Sequence, residues 1–392
     1  MSQPRNASIH RAARLHRIEP FYVMALLSRA RALEAQGQDI VHMEIGEPDF
    51  PTPEPVIKAG QEALVRHHTH YTPALGLAEL REAIAASYQS RYGVAVPGER
   101  IVVTPGASGA LLLALGALLD PGERMLMADP GYPCNRHLVH VLEGDPIGIP
   151  VDAESAYQLD FDRVERAWRE NTRGVLIASP SNPTGTLIPK EALAAIAAFV
   201  EAHGGALISD EIYHGLTYGA KAETALAFTD EAFVVNSFSK YFGMTGWRLG
   251  WLVAPEAYIP DIEKLSQNLF IAPSTPAQHA ALAAFTDETQ AILEERRQIF
   301  QARRDFLVGA LRSLGIRIPV VPQGAFYLYA DVSPFTRDSY RFAMDLLEKA
   351  GVAVTPGRDF GFHLAHRHVR FAYTTSLERL EEGVERLRAF LA

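Results

Sequence analysis

Six short stretches of this chain are apolar at almost every position: Ile101–Thr104, Met125–Ala128, Gly174–Ser179, Ala206–Ser209, Phe233–Asn236 and Leu249–Val253. A strand with one face in water alternates apolar and polar residues, so near-continuous runs belong to strands covered on both faces. Patterns of helical period separate the runs. Residues 191–203 begin just after Pro189 and stop at Gly204-Gly205, the order in which proline and glycine punctuate a helix. Buried strands alternating with helices predict an α/β fold, a mainly parallel central sheet between helical layers.

The two ends read differently. Residues 20–36 form an amphipathic helix from Pro20 to Gly37, and 287–314 a long charged one ending at Gly315. Short strands come next, around Phe326–Ala330 and Val369–Tyr373. A last helix opens with a capping box from Thr375 to Glu378 and sets Leu377, Leu380, Val384 and Leu387 on one face. The expected division is a large α/β domain over 48–288 and a small α+β domain built from 1–47 and 289–392.

Charge and composition narrow the function. The net charge of −9 is spread along the chain, whereas a nucleic-acid partner would want a basic face. No apolar run approaches the roughly 20 residues of a membrane helix. The single cysteine, Cys134, fits a reducing compartment, so a cytoplasmic location is expected. Arg5, Arg11, Arg14 and Arg17 precede the first acid, Glu19, and read as an N-terminal arm lying on the protein or its partner.

The turns at the ends of the strands carry the chemistry. Thr104 leads into Pro105-Gly106-Ala107-Ser108, and Ala128 into Asp129-Pro130-Gly131-Tyr132-Pro133. Ser179 leads into Pro180-Ser181-Asn182-Pro183-Thr184-Gly185, Ser209 into Asp210-Glu211-Ile212-Tyr213, and Ser237 into Phe238-Ser239-Lys240. In open α/β sheets ligands bind at the carboxyl ends of the strands, and here five polar turns converge on that edge. Each group alone has an ordinary reading. Gly106–Ser108 could be a plain strand–helix turn, Asp210 a helix cap, Lys240 a solvated lysine, and Arg248 or Arg370 a paired arginine. Tyr132 and Tyr213 could be packing aromatics. Jointly, a lysine amine, a buried acid, a helix N-terminus with an arginine to hold a phosphate, a stacking aromatic and a second arginine suit one cofactor, pyridoxal phosphate. No metal is called for.

The motifs occur in an order that resembles the class I/II aminotransferases of the aspartate-aminotransferase superfamily, pyridoxal-phosphate enzymes of fold type I. They are Gly46–Phe50, Tyr71–Gly76 with Leu80-Arg81, the Gly106 turn, Asp129–Pro133, Asn182–Gly185, Asp210–Tyr213, Ser237–Lys240, Gly246–Gly250, Gly324–Tyr327 and Val369-Arg370. The resemblance implies that Lys240 is the Schiff-base lysine and the base that moves the substrate proton. It implies that Asp210 pairs with the pyridinium nitrogen, and that Tyr213 and Asn182 hydrogen-bond the phenolic oxygen. Tyr132 would stack on the ring; the Gly106 turn with the Ala107 and Ser108 amides, Ser237, Ser239 and Arg248 would hold the phosphate. Tyr71 would reach the phosphate of the neighbouring subunit in a homodimer with shared sites. Arg370, with Asn182 and the Gly46 backbone, would clamp the substrate carboxylate.

No residue matching a family motif supplies a basic group for a second substrate carboxylate. Ser108 stands in the phosphate turn, and Gln267–Gln278 contains no Lys or Arg, leaving Arg17 and Arg358 as candidates. The expected donor is therefore neutral (alanine, a branched-chain or an aromatic amino acid), with 2-oxoglutarate or pyruvate as acceptor. The alternatives on the same scaffold are a C–S lyase or eliminase and, less in keeping with the sequence, an aspartate aminotransferase. A cofactor-binding transcription regulator would need a DNA-binding domain ahead of Gly46, where about 40 residues stand.

Overall fold

The computed structural model describes residues 11–392, so Arg5 of the expected arm lies outside the described residues. Seven strands build the central sheet: β1 (Ile101–Thr104), β2 (Arg124–Asp129), β3 (Asp145–Pro150), β4 (Thr172–Ala178), β5 (Ala206–Asp210), β6 (Phe233–Ser237) and β7 (Gly250–Val253). Their spatial order is β1-β7-β6-β5-β4-β2-β3. Strands β2 to β6 pair in parallel, while β7 runs antiparallel to both of its neighbours. The run Leu249–Val253 thus belongs to the sheet but not to its parallel series. Continuous apolarity reports burial on two faces and is blind to strand direction.

That burial is visible residue by residue. Val102, Leu176, Ile208, Val235 and Leu252 pack on one face against Ala110, Leu111 and Leu113 of the helix Gly106–Leu118. Their neighbours Val103, Ile177, Leu207, Val234 and Val253 pack on the other, with Leu193 and Ile196 of the helix Lys190–Ala202. Each such side chain contributes about 1.5–3 kcal/mol on burial, so the edge that carries the polar turns rests on a stiff platform. Strand β3 (DPIGIP) carries no such apolar signal: it is an edge strand, the place where proline is tolerated because one side needs no ladder.

Both termini share another core. Leu26, Ala30 and Leu33 of the helix Tyr22–Glu34 pack with Phe300 and Leu307 of Asp287–Ser313, Leu346 of Ser339–Ala350, and Leu380 and Leu387 of Leu377–Leu391. A three-stranded antiparallel sheet, β8 (Tyr327–Asp331), β9 (Thr355–Pro356) and β10 (His368–Ala372) in the order β9-β10-β8, brings Arg370 towards the large sheet. Val41–His42 pairs in parallel with Val352–Ala353 alongside. The last helix is capped by Ser376, whose side chain accepts from the Arg379 amide, one residue later than the Thr375 capping box expected. Thr375, Ser376 and Glu378 all suit a helix start, and sequence spacing does not choose between the two hydroxyls. The described part of the arm lies on its own chain: Arg14 pairs with Glu143, and Arg17 with Asp145, beside the helix Pro133–Val141.

Candidate active site

The carboxyl ends of β1, β2, β4, β5 and β6 open onto a cleft of ≈ 480 Å³. Lys240, three residues past the end of β6, projects into it, and its Nζ donates to the Gly46 carbonyl at 2.7 Å. Burial lowers the Lys240 ammonium to about 8, against the pull of Glu47 and with help from Arg370 and Arg248. An amine so placed is available in its neutral, nucleophilic form near neutral pH. Gly46 is required at its position, since a Cβ there would lie 2.1 Å from the Tyr327 hydroxyl.

Asp210 ends β5 in the floor of the cleft and is 5% exposed. Its Oδ1 accepts from the Ile212 amide at 3.3 Å, and burial raises the carboxyl from 3.8 to about 6. A buried acid with so little hydrogen bonding of its own suits a cationic partner. Tyr213 lies nearby, its hydroxyl 2.8 Å from that of Tyr327, and burial pushes its phenol well above the usual range. Tyr132 lines the same cleft and stacks on Phe21 at 6.5 Å between centroids.

An anion cradle forms one end. The helix Gly106–Leu118 starts without a side-chain cap, so the Ala107 and Ser108 amides keep their donors and the positive helix end for a ligand. Arg248 lies against this end: a Cβ on Gly106 would meet its Nη2 at 2.6 Å. Arg248 has φ 53°, a left-handed conformation costing a non-glycine residue about 1–3 kcal/mol, and its Nη1 donates to Thr245 O at 3.1 Å. Ser237 and Ser239 complete the cradle, their hydroxyls 2.9 Å apart. Of the Gly106 turn, Ala107 and Ser108 line the cleft, whereas Pro105 and Gly106 do not.

Arg370 closes the opposite end. Its Nη1 donates to Asn182 Oδ1 at 2.8 Å and its Nη2 to the Glu44 carbonyl at 2.6 Å, while the guanidinium packs over Tyr327 at 4.2 Å and Phe360 at 4.8 Å. Its Nε is buried with no hydrogen-bond partner among the described residues. Apart from Gly106 and from Tyr71, which is 81% exposed, the sequence-predicted residues therefore line one cleft. Sequence reasoning missed Glu44, which acts through its backbone carbonyl, and Thr355, whose hydroxyl donates to that same carbonyl at 3.1 Å. A backbone acceptor leaves no side-chain signature. It also missed the apolar wall of Phe21, Val23, Met24, Leu27 and Ile45 above the cleft. Neither Arg17 nor Arg358 lines the cleft; Arg358 faces Asp338 at 3.8 Å.

Comparison with known proteins places the chain in a family. The family "Aminotransferase class I and II" matches residues 38–387. The chain is 41% identical over 376 residues to the valine–pyruvate aminotransferase of Mycobacterium tuberculosis, covering 95% of this chain and 97% of that protein. It is 38% identical over 381 residues to the aspartate/prephenate aminotransferase of Thermus thermophilus, covering 96% and 98%. A crystal structure of an aminotransferase from Mycobacterium tuberculosis superposes with a TM-score of 0.95 at 41% identity, covering 98% of this chain and 99% of the other. The aspartate aminotransferase from Thermus thermophilus with maleate gives 0.93 at 37% identity, covering 97% and 100%. The chain belongs to the class I and II aminotransferases, pyridoxal 5'-phosphate enzymes of fold type I.

Proposed function

We propose that this aminotransferase moves the amino group of a neutral L-amino acid to 2-oxoglutarate or pyruvate, with Lys240 as its cofactor lysine. The carrying observation is the cleft's upper wall. Phe21, Val23, Met24, Leu27 and Ile45 are apolar, and among the described residues the cleft's only Lys or Arg side chains are Lys240, Arg248 and Arg370, each with its own task. An aspartate side chain would leave its carboxylate unpaired against that wall, which is costly. A relative named for valine and pyruvate is in keeping with this reading. The Thermus relative's name favours a second reading, aspartate as donor.

The residues fit the cofactor. Pyridoxal 5'-phosphate supplies an electron sink for the carbanion formed at the substrate's Cα. Lys240 would hold it covalently, and as a free amine it would serve as the base for the Cα proton, a task suited to an amine lowered to about 8. Asp210 would keep the ring nitrogen protonated, Tyr213 and Asn182 would hydrogen-bond the phenolic oxygen, and Tyr132 would stack on the ring. The Ala107 and Ser108 amides at the Gly106 turn, Ser237, Ser239 and Arg248 bind the phosphate. Arg370, whose Nε has no partner among the described residues, would take the substrate carboxylate between Asn182 and Gly46.

Three further expectations belong with this reading. Residues 48–288 act as the cofactor domain, and 1–47 with 289–392 as the small domain, in keeping with the shared core of the two ends. The active unit is a homodimer. Tyr71 is solvent-facing together with Leu64, Val65, Leu269 and Ile271, and Thr275 donates to the His70 carbonyl at 2.6 Å, so the 70–71 and 275 segments adjoin. An apolar face of this kind suits a second copy. No helix among the described residues is long and apolar enough to cross a membrane, and we assign a cytoplasmic location.

A donor screen tests the central choice. Cofactor absorbance is followed as single amino acids are added to the loaded enzyme without acceptor. Alanine, valine or an aromatic amino acid should outpace aspartate and leave the corresponding 2-oxo acid. Fastest turnover with aspartate overturns the neutral-donor reading, and release of ammonia with pyruvate would mean elimination.

A further inference from the structure

A second chamber, of ≈ 370 Å³, adjoins the cleft, and the two share Tyr132, Ala178 and Phe360 in their walls. Its floor is apolar, with Met127, Ile147 and Leu176 from β2, β3 and β4. Its polar side comes mainly from the helix Pro133–Val141, which turns Asn135, Arg136, His137 and His140 to it. An apolar pocket with a few convergent polar groups is the usual form of a small-molecule site.

The polar groups are unusually short of partners. Asn135 is 4% exposed, and its Oδ1 is buried with no hydrogen bond among the described residues. Nδ1 of His137 and Nδ1 of His140 are in the same condition. Burying polar atoms unpaired carries a desolvation penalty, so such groups on one chamber are explained by something that pairs with them. Arg136 is half-buried and forms no ion pair among the described residues. Its Nη2 donates to the Asp359 carbonyl at 3.0 Å, and its guanidinium lies 5.8 Å from the Phe362 ring centre.

The acids nearby are engaged elsewhere. Both carboxylate oxygens of Asp129 accept from the Phe362 and His363 amides. Asp359 accepts from the Tyr22 and Val23 amides, and Asp145 faces Arg17 at 3.7 Å. Glu19 is exposed at the rim. None of them forms an ion pair with Arg136, and a guanidinium in this state matches a carboxylate in shape and charge.

Position links the chamber to catalysis. Arg136 holds the carbonyl of Asp359, and Arg370 packs on the ring of the next residue, Phe360. The two arginines thus flank one short piece of wall. We infer that the chamber binds a carboxylate carried on a short apolar chain, with Arg136 and Asn135 as the recognition residues. The inference rests on the proposed role of the cleft only for the source of that carboxylate. It is either the far end of a dicarboxylic 2-oxo acid whose near end sits at Arg370, or a separate small acid. A far-end site would let an enzyme with a neutral donor accept 2-oxoglutarate without placing a charge in the apolar wall.

The test uses the full-length, cofactor-loaded enzyme with one neutral donor, comparing 2-oxoglutarate with pyruvate in wild type, Arg136→Gln and Asn135→Leu. If the carboxylate belongs to the substrate, both variants raise KM for 2-oxoglutarate relative to pyruvate, Arg136→Gln by at least tenfold. If it belongs to a separate acid, that ratio stays put. Calorimetry then shows succinate binding to Arg370→Ala, whose cleft lacks its carboxylate clamp, and adding Arg136→Gln abolishes it. An unchanged acceptor ratio together with no Arg136-dependent succinate binding overturns the inference, whether or not activity falls equally with both acceptors. If wild type transaminates no neutral donor, the reading of the cleft fails, while the succinate titration still judges the chamber.

Discussion

Replacing Asp210 by asparagine should stabilise the cofactor-free chain at neutral pH, although it removes the group proposed to pair with the cofactor's ring nitrogen. Folding buries the carboxyl and raises it from 3.8 to about 6. Between these two values the folded chain holds a proton that the unfolded chain has released. Stability therefore falls as pH rises across that window, and the deficit persists above it. At about 1.4 kcal/mol per pH unit, the deficit is about 3 kcal/mol. Asparagine keeps an oxygen for the Ile212 amide, which donates to Asp210 Oδ1, but does not ionise. Near pH 4 the two chains should unfold at similar denaturant concentrations, and above about pH 6 the variant should be the more stable by about 3 kcal/mol. Glu211 is raised to about 8 chiefly by burial, which is the same in both chains; the Asp210 charge adds only the smallest part of that shift. Urea unfolding of cofactor-free wild type and Asp210→Asn across this pH range is the assay. Adding pyridoxal 5'-phosphate should shrink the variant's advantage, because a protonated ring nitrogen would pair the buried carboxylate. A stability difference that does not change with pH would refute the reasoning.

Arg370→Lys keeps the charge but loses the planar fork that donates to Asn182 and Glu44, so kcat/KM should fall at least about tenfold, or about 1.4 kcal/mol. The loss should be similar for every α-amino acid donor; a loss confined to some donors would mean that Arg370 reads the side chain. The dimer proposal predicts that cofactor affinity and activity fall together on dilution, and that Tyr71→Phe weakens cofactor binding without changing the unfolding of the cofactor-free chain. A fully active monomer in sedimentation would contradict it.

Much of the fold was legible because its signals are local. Buried strands announce themselves by unbroken apolarity, and Val102 and Val103 indeed pack on opposite faces of one sheet. Direction is not a local property, which is why β7 could be found but not oriented. The polar turns at strand ends pointed to Lys240, Asp210, Asn182 and Ser237 because each motif is contiguous in sequence. The contacts that aim Arg370 join it to Glu44 and Asn182 across 326 and 188 residues, and no window of sequence contains them. Arg136 was invisible for a similar reason. Beside histidines on an amphipathic helix it reads as a surface arginine, and only the fold turns it towards a chamber.

The central claim is that Lys240 holds the cofactor. Reduction of the loaded enzyme with borohydride, then proteolysis and mass spectrometry, tests it without recourse to activity. A single cofactor adduct is expected on the peptide containing Ser237-Phe238-Ser239-Lys240, absent from Lys240→Ala, which should also lose transamination. An adduct on any other lysine, or one that survives in Lys240→Ala, would contradict the account.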